Sequence, residues 1–90
     1  MKFIRFETTP NPNAIKCVIE IGDAARPVRS YFNAPQADEA GDELASALFA
    51  IEGVTNVLIH TAFVTIGKSA DTAWAPIKKR ARAAIEASDG

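Results

Sequence analysis

Apolar and polar positions alternate with a period of two along four stretches of the chain, which is the signature of strands with one buried face. Over residues 2–8, Phe3, Arg5 and Glu7 oppose Ile4, Phe6 and Thr8. Over 14–21, Ile15, Cys17, Ile19 and Ile21 share one side, with Lys16, Val18 and Glu20 on the other. Residues 27–32 predict a third strand, short and at an edge. In 54–60, Val57 and Ile59 share a face away from Leu58, and in 62–67, Val64 and Ile66 share a face away from Phe63 and Thr65. The connection between these last two, at His60 and Thr61, is tight enough to make them a hairpin. The connection holds no Asn-Gly or Gly-Gly, which leaves the turn type open.

Between the third and fourth strands the spacing changes to that of a helix. At about 100° per residue, Ala40, Gly41, Leu44, Ala47, Leu48 and Ile51 fall on one narrow arc, opposite Glu39, Asp42 and Ser46. Asp38 is the expected N-cap and Gly53 the expected terminator, while Asp38, Glu39, Asp42 and Glu43 suit the positive end of the helix dipole. A second helix is expected from about Ala73, with Pro76 in its first turn and Trp74, Ile77, Ala81, Ala84 and Ile85 on its buried stripe. Residues 22–25 read as a turn, 33–37 as a loop, 68–72 as a polar linker and 88–90 as a fraying end. The expected fold class is α+β, a two-layer sandwich: an antiparallel sheet of four or five strands with two helices on one face.

Ninety residues make a single domain, 1–90, able to bury roughly 60–65% of its unfolded surface. The net charge of −1 argues against a nucleic-acid partner. No apolar run approaches the ~20 residues that span a membrane, and no signal peptide opens the chain. The one cysteine cannot form an internal disulfide, so a cytoplasmic location is expected.

Candidate chemistry is sparse. Cys17 lies on a strand face with three isoleucines and reads as a small buried hydrophobe, with no Cys-x-x-Cys to make a metal site. His60 reads as an exposed turn residue with no catalytic partner. The four carboxylates at the helix start read as a solvated first turn, with Asp42 facing outward, and residues 78–82 as a solvated basic face. No catalytic residue, metal ligand or cofactor is expected, and no enzyme. The stretch that stands out is Thr9, Pro10, Asn11, Pro12 and Asn13. Each residue before a proline is driven to extended geometry, and Asn side chains bond to nearby backbone, so this connector is stiff. It is a candidate partner-contact loop, or else it fixes the angle between two strands.

TPNPNAIK from Thr9 to Lys16, LFAIEGV from Leu48, FVTIGK from Phe63, and Trp74 with Ile77 resemble, in order and spacing, the N-terminal domain of Nfu/NifU-type scaffold proteins. The resemblance covers essentially the whole chain. It implies an α+β sandwich and a role in iron–sulfur cluster maturation, with iron binding as a property of the family. In two-domain members the cluster is carried by a separate C-terminal domain with a Cys-x-x-Cys motif, which these residues do not contain. The Ser-Pro that often opens the first helix in relatives is replaced here by Ala37, Asp38 and Glu39. The expectation is therefore an accessory interaction domain for iron–sulfur carrier or client proteins that holds no cluster itself. The alternative is a small-ligand or metal-binding protein of another pathway with the same fold.

Overall fold

The computed structural model of the chain describes residues 1–20 and 28–88. Its elements run β1 (Phe3–Thr8), β2 (Ala14–Ile19), β3 (Arg29–Tyr31), α1 (Ala34–Ala40), α2 (Glu43–Phe49), β4 (Val54–Ile59), β5 (Phe63–Lys68) and α3 (Trp74–Ala87). The strands form one antiparallel sheet in the order β1-β2-β5-β4-β3. Two hairpins, β1–β2 and β4–β5, lie side by side, and β3 returns to the far edge.

The period-two reading of the central strands holds. Ile15, Cys17, Ile19, Val57, Ile59, Val64 and Ile66 are buried on one face, against Leu44, Ala45, Leu48, Ile77, Ala81 and Ile85 from the helices. Lys16, Val18, Leu58, Phe63 and Thr65 form the other face, half-buried and without a covering layer among the described residues. In β1 the alternation fails. The register shifts between Phe3 and Arg5, so Phe3 and Phe6 both reach the core side, with ring centroids 4.6 Å apart, while Ile4 is half exposed.

The helical layer differs from expectation: among the described residues three helices cover the sheet, not two. Residues 33–37, expected as a loop, begin α1. The Asn33 side chain accepts from Gln36 N–H at 2.9 Å as its N-cap, with Pro35 in the first turn. Gly41, at φ 68°, ends α1 in the left-handed region, and Asp42 starts α2 as its own N-cap. This break resets the helical phase. Ala40, Gly41 and Ala47, expected on the buried arc, are exposed, and Ala37 and Ala45 are buried instead. Asp38 is thus no N-cap; its carboxylate accepts from the Ser46 hydroxyl at 2.6 Å. Gly53 has the expected positive φ, 93°, though it lies beyond α2 in the turn into β4. α3 follows its predicted start, and no helix among the described residues is long and apolar enough to cross a membrane. Ile21, the expected 22–25 turn, Pro27, Asp89 and Gly90 lie outside the described residues.

Candidate functional site

The connector from β1 to β2 satisfies its own backbone. The Thr9 hydroxyl accepts from Asn11 N–H at 3.2 Å and lies 2.8 Å and 3.1 Å from the Asn11 and Ala14 carbonyls. Asn11 Oδ1 accepts from Asn13 N–H at 2.9 Å, and the Asn11 carbonyl from Ala14 N–H at 3.0 Å. These bonds, added to two prolines, fix a rigid loop. Pro10, Asn11 and Pro12 are exposed, while Thr9 and Asn13 are half-buried.

The loop is also tied to two distant elements. The Pro12 carbonyl accepts from Trp74 Nε1–H at 3.0 Å, at the first residue of α3. The Asn13 carbonyl accepts from Lys68 N–H at 2.8 Å, and Asn13 Oδ1 from Lys68 Nζ at 3.2 Å. Lys68, expected in a polar linker, is the last residue of β5 and is buried. Its ammonium also donates to the Ser69 carbonyl at 3.2 Å and lies 5.3 Å from the centre of the Trp74 ring. Residues 9–13, Lys68 and Trp74 therefore form one corner. Sequence reasoning named the loop but missed the lysine and the indole as parts of a site. A cation closing an apolar strand was the available signal.

The remaining candidates do not converge on that corner. Cys17 is fully buried, flanked across the sheet by Phe6 and Val64, and desolvation pushes its thiol up to about 12. His60 is half-buried rather than exposed: its ring stacks on Phe63 at 4.5 Å, and Nδ1 accepts from Ala62 N–H at 3.2 Å. Lys16 Nζ lies 4.4 Å from the centre of the same Phe63 ring.

Asp42 does not face outward. It is buried, caps α2 through Ala45 N–H at 3.1 Å, and accepts from Tyr31 Oη at 3.1 Å and Arg29 Nη1 at 3.0 Å. Partial burial and this carboxylate raise the Tyr31 phenol above its ordinary pKa. In the basic cluster Lys79, Arg80 and Arg82 are exposed and Lys78 is half-buried, with Lys78 and Arg82 also lying over the rings of Phe6 and Phe3. Among the described residues, no group of three or more His, Cys, Asp or Glu side chains is placed to hold a metal ion.

Residues 4–89 match the family model described as "Scaffold protein Nfu/NifU N terminal". The chain is 36% identical to NifU-like protein 4, mitochondrial, of Arabidopsis thaliana, a match covering 92% of this chain and 29% of that protein. It is 40% identical to NifU-like protein 5, mitochondrial, of the same plant, over 84% of this chain and 27% of the relative. The chain thus spans less than a third of the length of these curated relatives. Its fold matches the crystal structure of Staphylococcus aureus protein SAV1430 with a TM-score of 0.79 at 21% identity, covering 94% of this chain and 99% of that one. It also matches the solution structure of a NifU-like protein from Saccharomyces cerevisiae, with a TM-score of 0.77 at 24% identity, covering 90% and 72%.

Proposed function

The chain belongs to the Nfu/NifU N-terminal family, and from that premise we propose that it is an interaction domain in iron–sulfur cluster assembly or delivery. It docks a carrier or client protein and does not itself ligate the cluster. The observation that carries this reading is the contrast between its one thiol and the rigid exposed loop of residues 9–13. Cys17 lies in the centre of the core with its thiol held protonated, so it is a poor cluster ligand. The common clusters need four ligands, mostly thiolates, and the donors described here do not fit one.

The loop of Thr9, Pro10, Asn11, Pro12 and Asn13 presents an outward surface that is already ordered, so docking on it costs little conformational entropy. The role we propose is non-enzymatic, in keeping with a His60 that stacks on Phe63 and accepts from the Ala62 backbone with no catalytic partner named beside it. A single reduced thiol suits a reducing compartment, and the cytoplasm is the location we propose.

The test is a binding titration of the chain against a purified Cys-x-x-Cys iron–sulfur carrier, with and without its cluster, followed in 1H–15N spectra. The reading expects saturable shifts mapping to the corner of residues 9–13 and Trp74. Shifts elsewhere, or none with either form of the carrier, count against it.

A further inference from the structure

Lys68 closes β5 where an unpaired charge is costly. Only 9% of the residue is exposed. The hydrogen-bond acceptors on its ammonium are both neutral, Asn13 Oδ1 at 3.2 Å and the Ser69 carbonyl at 3.2 Å. The Trp74 ring, 5.3 Å away, adds a weak attraction but no counter-charge. The ion pairs among the described residues are Arg5–Glu7, Arg29–Asp42 and Arg82–Glu86, so Lys68 is in none of them. Asp71, the carboxylate nearest in sequence, is exposed and is in none of them either. Buried ammonium groups are ordinarily paired with an anion, because desolvation penalises a charge left alone. Two of the three ammonium protons are engaged, leaving one donor in hand.

A second positive feature meets this one. Trp74, whose indole lies beside the ammonium, is the first residue of α3. That helix has Ala73 as its N-cap, no side-chain cap hydrogen bond and no acidic residue in its first turn. Its first turn therefore carries no negative group of its own to meet the positive end of the helix. The Trp74 indole is bonded to the Pro12 carbonyl of the loop whose exposed Pro10, Asn11 and Pro12 are held rigid by the loop's own bonds.

We propose that this corner receives a carboxylate of a partner protein, an acidic side chain or a chain-terminal carboxylate, with Lys68 as its cation. Asn13 orients the ammonium, and Pro12 and Trp74 form the rim. A carboxylate fits better than a phosphate, because the site offers one point charge and neither an arginine fork nor a glycine-rich run of amides. The inference rests on reading residues 9–13 as the contact surface and adds the chemistry of what that surface recognises.

The experiment titrates the 15N-labelled chain, at constant ionic strength, with the capped tetrapeptide Ala-Glu-Glu-Ala, its Ala-Gln-Gln-Ala counterpart and inorganic phosphate. The Glu peptide is expected to give saturable shifts at Asn13, Lys68, Ser69 and the Trp74 indole N–H, and the Gln peptide none. Lys68→Gln is expected to weaken the Glu peptide by about tenfold or more, as loss of a charge-assisted bond implies. Asn13→Asp places a carboxylate beside the ammonium, so it is expected to abolish the response while keeping the fold, and it covers the case in which Lys68→Gln does not fold.

Equal response to the Gln peptide, an undiminished response in Asn13→Asp, or saturation by phosphate below the Glu peptide overturns the proposal. A carrier that binds wild type and Lys68→Gln equally also overturns it, while leaving the iron–sulfur reading standing. A Lys68-dependent carboxylate response with no carrier binding upholds the site and removes that reading instead.

Discussion

Cys17 shows how much one residue's environment decides. Its thiol, raised from 9.0 to about 12 by desolvation, binds its proton more tightly in the folded chain than in the unfolded one. Between those values the native state holds more protons, so stability present below pH 9 falls as the pH rises toward 12. Melting curves from pH 8 upward are expected to show an alkaline loss that Cys17→Val reduces; identical profiles for the two proteins would show that the thiol is not sealed.

Asp42 is the opposite case, a buried charge with partners on three sides. Asp42→Ala removes the α2 cap, the Tyr31 bond and the Arg29 pair together. Because Arg29 keeps 25% of its side-chain surface, the expected cost is about 2–4 kcal/mol, below that of a fully buried pair. A denaturant midpoint within experimental error of wild type would contradict the network. The sequence pattern marked Cys17 as core, because its strand alternates strictly. It put Asp42 outside, because on one continuous helix that position does face solvent.

At the scale of elements, that misplacement has a single source, Gly41. A glycine fits the small-residue arc of a long helix as well as it fits a left-handed terminator, so periodicity alone cannot separate the two. The discriminating signal lay upstream, where Asn33 followed by Pro35 has the form of a helix start. The β1 bulge was equally hidden, because Phe3 and Phe6 reach one side only through a shift in pairing with β2. The central hairpin was legible because its apolar sets alternate without interruption. Leu48, fully buried on α2, tests the helix–sheet contact: Leu48→Ala is expected to cost about 2–5 kcal/mol by chemical denaturation, as cavity-forming changes do. A change under about half a kilocalorie per mole, the level of ordinary surface substitutions, would mean that α2 is not core. Asn33→Ala, removing only a cap, is expected to cost about 1 kcal/mol by the same measurement.

The candidate site belongs to the whole molecule, which is why only part of it could be read from the chain. The loop of residues 9–13 announces itself by its prolines and asparagines. Its junction with Lys68 and Trp74 joins residues more than fifty positions apart and exists only once β2 pairs with β5 and the start of α3 meets the loop. The same architecture governs metal chemistry. The chain has one cysteine, and a symmetric dimer would have two, short of the four ligands a common cluster takes.

Nor do the donors meet. Cys17 is sealed on the helix-covered face of the sheet, whereas His60 stacks on Phe63 of the other face. Reconstitution under anaerobic conditions with iron and sulfide, followed by desalting, is therefore expected to return colourless protein without stoichiometric iron or sulfide. Cys17→Val is expected to behave identically and to bind any carrier as wild type does. Visible cluster bands at stoichiometric iron, lost in Cys17→Ser, would require the core to open and would make this domain a carrier in its own right.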